Sequence, residues 1–177
     1  MSIKLLILDI DGVMTDGTKI YDVNGNVFAK TYCDRDFTAI KRFKASGVKV
    51  CFLSGDKKVN EEMARNRNID FYCSRTPDGM IDKSNFISQF QKIYNSQIEE
   101  MAYVGDDIFD IPIMEKLNYA YCPLDAPDDV KNISTWIIDR KSGDSVIARL
   151  YDYLIGGNEV SNCNLSQVVD IDRLEVF

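Results

Sequence analysis

The residues of this chain best suited to chemistry stand at the ends of apolar runs. The run Lys4–Ile10 leads into Asp9-Ile10-Asp11-Gly12. In extended backbone, residues two apart point to the same side, so both carboxylates can emerge at the end of one strand. Gly12 then permits a close backbone approach or an unusual turn. A second run, Met101–Gly105, ends in Asp106-Asp107, with Asp110 in the helical turn that follows. Clustered carboxylates repel one another unless a proton or a cation lies among them. Oxygen-only ligands with no His or Cys nearby suit Mg²⁺. Ser54 closes the run VKVCFLS, and Lys83 opens a helical segment after the Asp78-Gly79 turn. A hydroxyl, backbone N–H groups and an ammonium together can hold a phosphate. Each piece has a plainer counterpart. Asp-x-Asp-Gly also closes strands as a turn, Asp110 also complements a helix N-terminus, Ser54 also caps a helix, and a lone lysine is usually a solvated charge. Delivery of all of them to one edge favours the chemical reading.

The elements that must position these residues alternate. Strands are expected at Lys4–Ile10, Val48–Ser54, Ile69–Cys73, Met101–Gly105, Tyr119–Cys122 and Thr135–Ile138. Helices are expected at Asp36–Ser46, Val59–Asn68, Lys83–Tyr94, Ile108–Leu117 and Asp144–Ile155. Strands separated by helical patterns predict an α/β fold, a Rossmann-like parallel sheet with helices on both faces, which places ligands at the carboxyl ends of its strands. Thr18–Tyr21 and Val27–Cys33 flank Asn24-Gly25-Asn26 and predict an inserted β-hairpin over about 18–33. The expected domain is 1–157. Residues 158–177 form a polar C-terminal tail whose end, VVDIDRLEVF, reads as an edge strand or a subunit contact.

Composition narrows the chemistry. The 177 residues are 45% hydrophobic and 28% charged, as in an ordinary globular protein. They contain no His, which removes His-dependent triads, His acid–base catalysis and His-ligated zinc. A net charge of −7 argues against nucleic acid and anionic membrane as partners, and no run approaches a membrane span. Five widely spaced cysteines without a CxxC pair read as reduced thiols, and the opening MSIKLLILDID is too short in apolar residues for a signal peptide, so a cytoplasmic location is expected.

The order Asp-x-Asp-Gly, Ser, Lys, Gly-Asp-Asp over roughly residues 3–155 resembles the haloacid dehalogenase superfamily of phosphohydrolases. DIDGVMTDG, the NGN hairpin, RDF and YVGDDIFDIP resemble more narrowly its small phosphatases without a cap domain. Those act on phosphorylated 2-keto-3-deoxy sugar acids, either eight-carbon octulosonate 8-phosphates or nine-carbon sialic-type acid 9-phosphates. The resemblance implies Asp9 as nucleophile through an aspartyl-phosphate and Asp11 as acid and then base. It implies Ser54 and Lys83 as phosphate holders, and Mg²⁺ held by Asp9, the Asp11 carbonyl and Asp106, with Asp107 assisting. The two intervals between motifs leave no room for a cap, so the resemblance also implies a homotetramer whose neighbouring subunits cover the open site. Arg35 and Asp36 match a substrate-side Arg-Asp pair, although Phe37 replaces the usual Gly. Asp56 stands where octulosonate phosphatases resemble a Thr-Gly-Arg pattern, which tilts toward nine-carbon substrates; Lys57, Arg65 and Arg67 lie nearby and could compensate, although each alone reads as the polar face of a surface helix. The family's Gly-rich segment near the C-terminus is reduced here to Arg140-Lys141-Ser142-Gly143. Two other classes compete. A phosphorelay receiver carries its acidic pair early and its phosphorylated Asp after a middle strand, the reverse of this order. A non-catalytic oligomerisation module of the same fold has no physical need for the clustered acids.

Overall fold

The structure, a computed structural model, describes residues 2–176. Its first strand, β1 (Leu5–Leu8), is a wholly buried apolar run. A short hairpin follows, β2 (Ile20–Tyr21) with β3 (Val27–Ala29), and then α1 (Asp34–Ala45). Next come β4 (Lys49–Ser54), α2 (Lys58–Asn66) and β5 (Asp70–Cys73). A two-stranded ribbon, β6 (Arg75–Thr76) with β7 (Gly79–Met80), precedes a 3₁₀ turn at Lys83–Phe86 and α3 (Ile87–Tyr94). The chain continues through β8 (Met101–Val104), a 3₁₀ turn at Ile108–Asp110, α4 (Ile111–Met114), β9 (Tyr119–Pro123), α5 (Asp128–Ile133), β10 (Trp136–Ile138) and α6 (Val146–Gly156).

Six strands form one parallel sheet in the order β10-β9-β8-β1-β4-β5. The chain winds outward from β1 through β4 to β5, then returns to the other side of β1 and winds out through β8. Ligands collect in the crevice such a reversal opens, at the carboxyl ends of the strands beside it. The strands that flank it are β4, β1 and β8, and these carry Ser54, Asp9 and Asp106 just at or beyond their ends. The α/β architecture is as the alternation predicts, and among the described residues no cap domain interrupts it.

Strand pleating decides which side chains meet which helices. Leu5, Ile7, Cys51, Leu53, Met101 and Tyr103 face α3 and α4, whereas Leu6, Leu8, Phe52 and Val104 face α1 and α6. Each fully buried Leu or Ile contributes about 1.5–3 kcal/mol of transfer free energy, so β1 is fixed in place from both sides. Asp9 continues the parity of Leu5 and Ile7, and the strand pairing extends to it, because its N–H donates to the Val104 carbonyl at 2.9 Å. It therefore emerges on the side where Lys83 begins the approach to α3.

Three elements differ from expectation. The ribbon β6–β7 and helix α5 fall between expected elements. The C-terminal segment forms a helix, α7 (Leu165–Asp172), in place of an edge strand. Its start is a capping box: Asn164 Oδ1 accepts from Gln167 N at 3.0 Å, and Asn164 N donates to Gln167 Oε1 at 2.9 Å. Beyond it, the nearly buried Glu175 carboxylate receives Lys41 at 3.1 Å and Arg67 at 2.9 Å, which holds the segment on α1 and α2. All five cysteines carry free thiols, and Cys51 and Cys122 are buried in strands. Among the described residues no helix is long and apolar enough to cross a membrane.

Candidate active site

The strand ends open into a cleft of about 630 Å³, whose walls include Asp9, Asp11, Ser54, Asp56, Lys83 and Asp107. Two glycines let the acids crowd together. Gly12 has φ +86°, and a Cβ there would lie 1.9 Å from Asp106 Oδ2. A Cβ on Gly105 would lie 2.5 Å from Asp110 Cγ. Only glycine accommodates both the backbone of the first position and the space at either.

Asp9 is 8% exposed. Its Oδ2 accepts from Lys83 Nζ at 2.8 Å, and its Oδ1 accepts from Ile10 N at 2.7 Å. Lys83 is itself buried and also donates to Asp110 Oδ1 at 2.6 Å and to the Tyr103 hydroxyl at 3.1 Å. Tyr103 in turn donates to Asp110 Oδ1 at 2.6 Å. The other Asp110 oxygen accepts from Asp106 N at 2.9 Å and Asp107 N at 3.1 Å. Asp110 is thus more than a helix-terminus residue: it shapes the Asp106-Asp107 turn and orients Lys83 against Asp9.

Asp106 is left differently. Its Oδ1 is buried without a hydrogen-bond partner. Burial first, then the charges of Asp9, Asp110 and Asp107, push its pKa up to about 8. Burial raises Asp9 to about 6 against the opposing pull of Lys83. One carboxylate oxygen from each of Asp9, Asp106 and Asp110 lies within 4.8 Å of the others. Oxygen-only donors, a buried oxygen without a partner and mutual repulsion all fit a divalent cation. Each Asp110 oxygen already accepts two hydrogen bonds, whereas each Asp9 oxygen accepts one and Asp106 Oδ1 none, so Asp9 and Asp106 are the side chains with lone pairs left to hold it. Asp107 spends Oδ1 on Ile108 N at 2.6 Å while facing the cleft.

Asp11 meets a different set of partners. Lys30 Nζ lies 2.7 Å from its Oδ1 and 2.9 Å from its Oδ2, and Asn60 Nδ2 donates to Oδ2 at 3.1 Å. Asn60, fully buried on α2, also donates to Ser54 Oγ at 3.2 Å. The structure therefore brings Asp9, Asp11, Ser54, Lys83, Asp106 and Asp107 together.

It does not bring all the expected substrate residues to the cleft. Arg35 lies exposed on the first turn of α1, outside the cleft walls. Asp36 points inward and accepts from Ile147 N and Ala148 N, both at 2.9 Å, so it caps the start of α6. Burial raises its pKa to about 6 despite those donors. Arg65 pairs with Glu62 on the exposed face of α2, beside a separate surface groove. Asp56 does line the cleft, but its compensating cations are Lys19 at 3.0 Å and Lys30 at 2.8 Å, not Lys57, Arg65 or Arg67. Arg67 instead binds Glu175 and lies over the Phe37 ring. Sequence reasoning also missed Arg75, Thr76 and Met80, which the ribbon contributes to the cleft wall. Their signal was the Pro77-Asp78-Gly79 turn between two short extended pieces.

Comparison with known proteins agrees with this geometry. Residues 56–150 match the haloacid dehalogenase-like hydrolase family. The 3-deoxy-D-manno-octulosonate 8-phosphate phosphatase KdsC of Haemophilus influenzae is 29% identical over 154 residues, covering 87% of this chain and 83% of its own. The enzyme of the same name from Escherichia coli is 32% identical over 126 residues, covering 71% of this chain and 64% of its own. A solved cobalt-bound deoxy-D-mannose-octulosonate 8-phosphate phosphatase from Haemophilus influenzae superposes with a TM-score of 0.80 at 28% identity, covering 89% of this chain and 91% of that one. Sheet order, the acids gathered at the switch point and a matched segment spanning more than half the sequence converge, and the chain belongs to the haloacid dehalogenase-like hydrolases, as a phosphatase of that family.

Proposed function

We propose that the chain hydrolyses the phosphate ester of a 2-keto-3-deoxy sugar acid through an aspartyl-phosphate on Asp9, with Mg²⁺ as cofactor. The observation that carries this reading is the fixed Lys83 bridge between Asp9 and Asp110 at the floor of an open cleft. It leaves Asp9 oriented, and it neutralises charge where a phosphoryl group would sit. In the first step an Asp9 oxygen bonds to phosphorus as the ester P–O bond breaks, and the departing sugar oxygen takes a proton from Asp11. In the second step a water oxygen bonds to phosphorus, its proton returns to Asp11, and the Asp9–phosphorus bond breaks to release phosphate. Ser54 Oγ and Lys83 hold the phosphoryl oxygens. Asp9, Asp106 and the Asp11 carbonyl would hold the cation, which would offset the negative charge of the site.

The substrate reading leans on the relatives, whose names specify 3-deoxy-D-manno-octulosonate 8-phosphate. Asp56 does not by itself favour a nine-carbon substrate, because Lys19 and Lys30 already offset its carboxylate. Phosphate release should therefore be measured with octulosonate 8-phosphate, nine-carbon acid 9-phosphates and hexose phosphates, with Mg²⁺ and after exhaustive chelation. The expected result is preference for octulosonate 8-phosphate, with activity lost on chelation and restored by Mg²⁺. Equal turnover of hexose phosphates would remove the substrate assignment, and full activity after chelation would remove the metal.

We also propose a homotetramer, since an uncapped cleft leaves phosphoryl chemistry wet unless neighbours cover it. Exposed Ile20, Tyr21, Val23 and Phe28 on the hairpin supply an apolar surface for such contacts. Light scattering should give four subunits; a fully active monomer would contradict the arrangement. A cytoplasmic location suits the five free thiols.

A further inference from the structure

We infer that Lys30, carried by the hairpin, is a positioning residue that holds Asp11 for proton transfer to the leaving group. Lys30 follows directly after β3, and its side chain is 0% exposed. A buried ammonium is tolerated only when it is paired and hydrogen-bonded, and here every contact leads toward the site. Its Nζ lies within 2.7 Å and 2.9 Å of the two Asp11 oxygens, 2.8 Å from Asp56 Oδ2 and 2.9 Å from Asn60 Oδ1. Asn60 is held in turn by the Tyr32 hydroxyl at 3.1 Å and joins Asp11 to Ser54.

The arrangement does two things for a proton donor. Asp56 and Asn60 also hold Lys30 Nζ, at 2.8 Å and 2.9 Å, so the cation paired with Asp11 is fixed by further partners. As Asp11 gives up its proton, the new carboxylate charge forms beside Lys30, with Lys19 at 3.8 Å. The hairpin is thereby tied to catalysis within its own subunit, apart from any contact it makes with neighbours. This inference rests on the proposed role of Asp11 as acid.

Leaving-group dependence separates such a role from a structural one. A sugar alkoxide needs a proton to depart, whereas 4-nitrophenolate departs without one. Moreover kcat/KM reports only steps up to departure, so hydrolysis of the aspartyl-phosphate does not enter. For Lys30→Met we expect kcat/KM on octulosonate 8-phosphate to fall about 10- to 100-fold. On 4-nitrophenyl phosphate it should fall by less than about threefold, since only the acid step is impaired. Asp11→Asn should show the same selectivity with a larger loss, and Lys30→Arg should recover part of it. Lys30→Gln, which keeps a hydrogen-bond donor without the charge, provides the same test if Lys30→Met does not fold. Equal losses on both substrates for the Lys30 variant, with Asp11→Asn still selective, would overturn the inference alone. Equal losses for Asp11→Asn would overturn the acid role itself, and the positioning role with it.

Discussion

Asp9→Asn is expected to abolish turnover while leaving the protein folded. The amide keeps the shape of the carboxyl but cannot attack phosphorus, and removal of a covalent nucleophile costs on the order of 10⁶ in kcat in the best-studied triad. Here the expected loss is at least about 10⁴-fold, the remainder coming from binding and charge clamping. Folding should survive, because the substitution has opposing consequences inside the site. It removes a charge that burial and Asp110 disfavour, and it weakens the bond from Lys83. The measurement is phosphate release from freshly purified, mass-verified protein, since deamidation regenerates Asp9. Circular dichroism run alongside establishes the fold. A folded variant with a tenth of wild-type activity would contradict nucleophilic catalysis by Asp9.

Lys83→Met should damage both activity and stability. Lys83 is 2% exposed and is the partner of two buried carboxylates, at 2.8 Å and 2.6 Å. Removing one member of a buried ionic set leaves uncompensated charge and typically costs about 3–5 kcal/mol. At about 2–4 °C per kcal/mol for a chain of this size, the melting temperature should drop by roughly 6–20 °C. The sign of its pH dependence follows from Asp9, whose pKa Lys83 holds down against burial and the Asp110 charge. Without the ammonium, those two causes act unopposed and favour a protonated Asp9 in the folded state. The unfolded chain then releases protons that the folded one holds, so the deficit is smallest at acidic pH and grows as pH rises through neutrality. Loss of a charge-stabilising donor also predicts a fall of about 10²–10³ in kcat. Thermal melts between pH 5 and 8, with and without Mg²⁺, read the stability effect. An unchanged melting temperature at pH 8 would mean that the bridge does not hold the site.

The legible part of this protein was what depends on local pattern. Buried runs such as Leu5–Leu8 and Met101–Val104 are continuous apolar segments, and the acids that follow them sit at strand ends whatever the tertiary detail. The two-residue spacing of Asp9 and Asp11 was likewise sufficient to bring both carboxylates to the carboxyl end of β1. What the pattern could not contain were contacts between distant segments. Lys30 reaches Asp11 across 19 residues and Asp56 across 26, and neither distance has a periodicity that marks it. Asp36 illustrates the opposite error. Its neighbourhood to Arg35 suggested substrate, yet helical geometry turns the two residues to different faces, and Asp36 finds the start of α6 more than a hundred residues later. Arg65 was lost in the same way, to the solvent face of α2. The helix α7 was hidden by a polar composition, although Asn164-Leu165-Ser166-Gln167 carries the reciprocal capping signature that marks its beginning.

The central claim is a phosphoryl group carried covalently by Asp9, and chemical trapping tests it most directly. Protein mixed with excess octulosonate 8-phosphate and Mg²⁺ is quenched in acid within a single turnover and reduced with borohydride. An acyl phosphate at Asp9 is converted to an alcohol, so residue 9 becomes homoserine, and peptide mass spectrometry locates it. The account predicts that product at position 9 alone, dependent on substrate and absent from Asp9→Asn. Robust phosphate release with residue 9 recovered only as aspartate, or with the trapped carbon at Asp11 or Asp106, would contradict it.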